Sequence, residues 1–77
     1  MDTLISKLKA LKRRVARIEF DDGDIIEARL LEVDTEEHDD VILDVLKVEQ
    51  SSGRVEYSKQ SYYRAAIKTI RSVRKVA

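Results

Sequence analysis

A chain of 77 residues with fifteen basic and fifteen acidic side chains, one histidine and neither cysteine nor proline has room for one small domain, which needs a tight core or self-association to be stable. Its composition excludes a disulfide framework and a paired-histidine zinc site, and it argues against a disordered or low-complexity chain. The absence of cysteine suits a reducing compartment, so a cytoplasmic location is expected; no apolar stretch is long enough for a signal peptide or a membrane span, so a soluble protein without a membrane partner is expected.

The zero net charge conceals a strong partition. Residues 1–17 hold six bases against Asp2 and carry +5, residues 18–50 hold thirteen acids against Arg29 and Lys47 and carry −11, and residues 51–77 hold seven bases against Glu56 and carry +6. A folded surface is felt through its local field and not through its total. Two outcomes stay open: the termini form a basic face that meets phosphates, or they meet the acidic middle of a neighbouring copy.

Leu4, Leu8, Leu11 and Val15 recur at helical spacing, and the Asp2-Thr3 start can accept the first amide hydrogens, which predicts a helix over about residues 3–13. From Val15 the period changes to two, with Ala16, Ile18 and Phe20 alternating with Arg17 and Glu19 as in a half-buried strand. Asp22-Gly23 then reads as a tight hairpin. The return strand, Ile25 to Asp34, has Ile26, Ala28 and Leu30 on one parity but Leu31 and Val33 on the other, which implies a bend or bulge. "DTEEHD" is a loop, and "DVILDVLKVE" is a third strand with Val41, Leu43 and Val45 on one side. "QSSGR" is a turn, "VEYSK" a short fourth strand, and "AIKTIRSVRKV" a fifth in which Ile67 and Ile70 change parity. The expected fold is mostly β: a single domain over residues 1–77 with an N-terminal α-helix (1–14) followed by a five-stranded, strongly bent open barrel (15–75).

These residues resemble the Sm and Sm-like family, whose barrels are SH3-like. Gly23 stands at the family's first hairpin, Ala28-Arg29-Leu30 at its Gly-x-Leu step and Val33-Asp34 at its apolar-Asp pair, and Leu43 follows the loop as the family's Leu does. The second motif, Ile-Arg-Gly before alternating apolar residues, is similar to Tyr63-Arg64-Ala65-Ala66-Ile67. The resemblance implies a homo-oligomeric ring and single-stranded RNA as a partner. The RNA-binding positions it implies are Arg64, His38 and Asp40, and Tyr63 and Lys59 beside Arg64 add the aromatic-plus-basic mixture that single-stranded nucleic acids use. Asp40 stands where the family has an Asn, and a carboxylate only accepts hydrogen bonds. His38 either stacks a base or is a solvated loop residue. Arg64 either stacks on a base or forks onto a phosphate, or pairs with Asp34 or an acid of the adjacent loop. Tyr57, Tyr62 and Tyr63 are stacking surfaces or core and interface residues.

An open barrel leaves its last strands with unpaired backbone groups, and pairing the fourth strand of one copy with the fifth of the next satisfies both. Val55, Tyr57, Ile67 and Ile70 are the expected interface residues. No nucleophile-base pair, phosphate-cradling glycine loop or metal constellation is present, so no enzyme, cofactor or metal is expected. The function implied is a ring-forming Sm-like protein that binds single-stranded RNA; the alternative is a ring-forming structural or protein-binding module that has lost the RNA pocket.

Overall fold

The computed structural model describes residues 3–57 and 62–76. Helix α1 (Thr3–Ala10) is followed by strands β1 (Val15–Phe20), β2 (Ile25–Asp34), β3 (Asp40–Glu49), β4 (Val55–Tyr57), β5 (Tyr62–Ala66) and β6 (Ile70–Lys75), with a 3₁₀ turn over Ile67–Thr69. All strand pairings are antiparallel. The order across the sheet is β4-β3-β2-β1-β6, and β5 lies beside the first half of β3 while β4 lies beside its second half.

Six strands stand where five were expected. The first three match the sequence pattern residue for residue, because strict alternation fixes both the period and the face. The difference begins after Tyr57. Tyr62–Ala66 is a strand of its own against β3, and the segment read as one fifth strand is divided by the 3₁₀ turn. Ile67 and Ile70 are three residues apart and both buried. A strand would send them to opposite faces, whereas a turn with three residues per revolution brings them to the same side. Thr69 helps to close that turn by donating its hydroxyl to the Ala66 carbonyl at 2.7 Å.

The core consists of the inward parity of each strand: Ala16, Ile18 and Phe20 of β1, Ile26, Ala28 and Leu30 of β2, Val41, Leu43 and Val45 of β3, with Ala65, Ile67, Ile70 and Val73. Leu8 of α1 joins them and is fully buried, while Leu4, Ile5 and Leu11 pack at the margin. Full burial of one leucine is worth about 1.5–3 kcal/mol, which is enough to hold so short a helix on the sheet. The register between β2 and β3 shifts at Glu27/Ala28 and again at Leu30/Glu32. These irregularities accompany the parity change read in the sequence and bend the sheet. The sheet stays open: among the described residues no ladder joins β6 to β4 or β5.

The helix ends earlier than its apolar spacing predicts. Arg14 donates its amide to the Leu11 carbonyl at 2.9 Å, and Arg13, the third residue of this turn, has a φ of 73°. No glycine occupies that left-handed position. The Arg13 amide donates to the Leu30 carbonyl at 2.6 Å and the Leu30 amide to the Arg14 carbonyl at 3.0 Å. Bonding to β2 thus holds a conformation that an isolated arginine disfavours by about 1–2 kcal/mol.

Candidate functional site

The sequence after β2 reads Asp34-Thr35-Glu36-Glu37-His38-Asp39. An aspartate just before a turn can accept amide hydrogens two and three residues ahead. Asp34 Oδ1 does so, taking the amides of Glu36 at 3.1 Å and Glu37 at 3.0 Å. Its other oxygen lies 2.9 Å from His38 Nδ1. The Glu37 amide, then the His38 side chain, and then the Glu36 amide hold the Asp34 carboxyl well below its ordinary value, at about 2. An ionised carboxylate only accepts, so the shared proton belongs on Nδ1, and Nε2 is left for solvent or a ligand.

The far end of the loop is fastened to the opposite strand. Asp39 has a φ of 51° and accepts the Ile67 amide on its carbonyl at 2.9 Å. The loop and the 3₁₀ turn thereby form one rim. Beside this joint is an open cleft of about 410 Å³ lined by Ile5, His38, Asp39, Ala66, Ile67 and Lys68. His38, Asp39 and Lys68 supply its polar reach and the two isoleucines its apolar wall, a combination that suits an aromatic group.

Asp40 follows immediately, opposite Ala66 in the ladder. Its side chain is 9% exposed, Oδ2 lies 3.4 Å from Arg64 Nε, and Oδ1 is buried without a hydrogen-bond partner. Arg64 sits beside Asp40 because it faces Ile42 across the ladder, two residues along the same face. The sequence left a phosphate fork and an acidic partner open for Arg64; the structure gives it the acid at the end of the loop.

No protein-family model matches this chain, and no curated protein matches it either.

The residues implied for RNA do not all meet. His38, Asp40 and Arg64 lie around the joint between loop and turn. Tyr63 has the other parity and lines a different hollow, with Phe20, Asp21, Asp22, Asp24, Ile26 and Thr69. Lys59 lies outside the described residues. Of the expected interface residues, Val55 and Tyr57 are exposed on β4. Ile67 and Ile70 are instead core residues, 7% and 5% exposed, and present almost no surface to a neighbour. The 3₁₀ turn between them brings both side chains to the core side, so any contact they make at the β6 edge is through the backbone.

Lys68 lies in the 3₁₀ turn and not on a strand, which makes it the cleft's cation. Asp34, at the apolar-Asp step, caps the loop. The Asp-Thr-Glu-Glu run carried the signal for its capping role, since aspartate two and three residues before polar loop positions is a recurrent turn device.

Proposed function

We propose that this chain is an Sm-like assembly module whose copies join edge to edge, the β4–β5 side of one against β6 of the next, and close into a ring. The observation that carries the reading is the open sheet with an apolar edge. Val55 and Tyr57 on β4 and Tyr62 on β5 are 45%, 81% and 71% exposed, and edge strands that invite no partner are normally short of such groups and rich in charge. Strand addition at such an edge satisfies backbone donors and acceptors on both copies, and repeated head-to-tail pairing closes when the rotation permits. Light scattering or native mass spectrometry tests it. The parent chain is expected to have the mass of several subunits and Tyr57→Asp that of smaller species; a monomeric parent overturns the reading.

A second reading rests on the pairing of His38 and Lys68 at one cleft: the ring binds single-stranded RNA there, with Arg64 close by. Stacking on an imidazole beside a cation is sequence-tolerant and salt-sensitive. Anisotropy titrations with labelled U-rich and A-rich RNAs at moderate salt are expected to show binding that His38→Ala and Lys68→Ala weaken. Absence of binding leaves the assembly role alone.

A further inference from the structure

Several charges of this protein are answered within the chain. Arg17 contacts Glu27 and Glu49, Lys47 contacts Glu27, and Lys12, Arg71 and Arg54 meet Glu32, Glu19 and Glu56. Among the charges outside these pairs, two clusters of opposite sign each surround a hollow with an apolar wall. Among the described residues, Asp21, Asp22 and Asp24 take part in no ion pair, and neither do Lys7, Arg74 and Lys75.

Each cluster surrounds an apolar hollow. The three aspartates rim a hollow of about 270 Å³ whose walls include the buried side chains of Phe20 and Ile26 and the half-exposed ring of Tyr63. The three bases rim a groove of about 300 Å³ between α1 and β6, walled by Ala10, Leu11 and Val73. The acidic hollow is preformed: Asp22 Oδ1 takes the Asp24 amide and Asp24 Oδ1 the Ser51 amide, each at 2.9 Å. No group of three or more His, Cys, Asp or Glu side chains among the described residues is arranged to hold a metal ion. A cation carried on a hydrocarbon stem fits better, because the stem lies along the apolar wall, the head reaches the carboxylates and Tyr63 offers a ring face.

The two clusters cannot serve each other in one copy. Phe20 pairs with Ile70 and Ala16 with Lys75, so the hollow and the groove lie toward opposite ends of the β1–β6 ladder. We propose that the acidic hollow is the docking socket for the basic α1–β6 rim of a second copy, an end-to-end contact separate from pairing at the sheet edges. Charge complementarity argues for a second copy: the socket belongs to the segment carrying −11, and its counterpart to the segments carrying +5 and +6. The contact is heterologous, so it stacks copies, or rings of copies, along the strand direction. Its attraction is between exposed charges and responds to screening: the screening length falls from about 10 Å at about 0.1 M salt to about 3 Å at about 1 M.

Sedimentation velocity across that salt range tests the contact, with Asp21→Lys and Lys7→Glu as reversals that leave both strand edges and the two carboxylate caps in place. At low salt the parent is expected to form species larger than at high salt. Each reversal is expected to weaken this step by about tenfold or more, since like charges then face each other. The double variant, with the parent's net charge restored, is expected to recover it. Glu36→Lys makes the same change in net charge elsewhere and is expected to leave the step intact. In a Tyr57→Asp background the salt-sensitive step is expected to persist even where edge pairing is lost, which separates the two contacts. A mass independent of salt, single reversals that assemble like the parent, or a double variant that fails to recover overturns the socket.

Discussion

Arg64 Nε lies 3.4 Å from Oδ2 of Asp40, and the two side chains differ sharply in exposure, 57% against 9%. The carboxylate is the buried member, and its other oxygen has no partner. Removing the guanidinium strands a buried charge, whereas removing the charge leaves a solvated arginine. Arg64→Ala is therefore expected to lower stability by about 1–2 kcal/mol, less than for a fully buried pair because the guanidinium is more than half in water. Asp40→Asn is expected to be milder, and in the double variant Arg64→Ala should add little. Urea denaturation of the four proteins checks this; additive losses would contradict the pairing.

The same contact bears on RNA. With Asp40 in place, Arg64 is occupied and a negative charge stands behind the cleft. Asp40→Asn removes the charge, releases the guanidinium and supplies an amide donor. Binding of single-stranded RNA is expected to tighten several-fold at constant salt, measured by anisotropy, and an unchanged or weaker affinity would place Arg64 outside any RNA contact.

Asp34 contributes to the acid limb of stability. Its carboxyl is lowered from 3.8 to about 2 in the folded chain, first by the Glu37 amide and then by His38. A depressed folded value means that the stabilisation is complete above the unfolded value and disappears as pH falls through the folded one. The parent should lose melting temperature between about pH 4 and pH 2 partly through this residue. Asp34→Asn is expected to show a flatter acid limb in thermal melts, with a lower plateau at neutral pH because the loop cap is weakened.

Two hairpin glycines should respond unequally to alanine. Gly23 and Gly53 have φ of 93° and 95°, a region that strains any L side chain by about 1–2 kcal/mol. A Cβ on Gly23 would also lie 3.1 Å from Ser51 Cβ, while one on Gly53 would meet nothing within 4 Å. Gly23→Ala is expected to lower the melting temperature more than Gly53→Ala, and equal losses would show that the turn relaxes around the methyl.

Leu8 is the one fully buried residue of α1 among the described positions. Leu8→Ala is expected to lower stability by about 2–4 kcal/mol and to release the helix, seen as lost amide protection over Thr3–Ala10. A loss below about 1 kcal/mol would mean that the helix contributes little to the core.

Much of the fold can be read from the chain. Alternation from Val15 to Phe20, the Asp22-Gly23 hairpin and the apolar run of Asp40–Glu49 are local signals, since side-chain period and turn chemistry act within a few residues. β1, β2 and β3 therefore have their expected bounds. Apart from the buried Asp40, the acids of the middle segment form the outward parity of these strands and the loops between them.

What only the tertiary structure decided concerns residues whose roles depend on distant partners. Arg13 ends the helix because Leu30 bonds to it across the fold, and no turn residue announces that end. Ile67 looks like a strand position until the Asp39 carbonyl and the core draw it into a 3₁₀ turn, after which Ile70 opens β6 with its side chain in the core. The candidate site divides for the same reason. Tyr63 and Arg64 are neighbours in sequence, yet a strand sends adjacent side chains to opposite faces, one to the aspartates of the first hairpin and the other to Asp40. Sequence spacing sets which side chains share a face, and the packing of the sheet sets what that face meets.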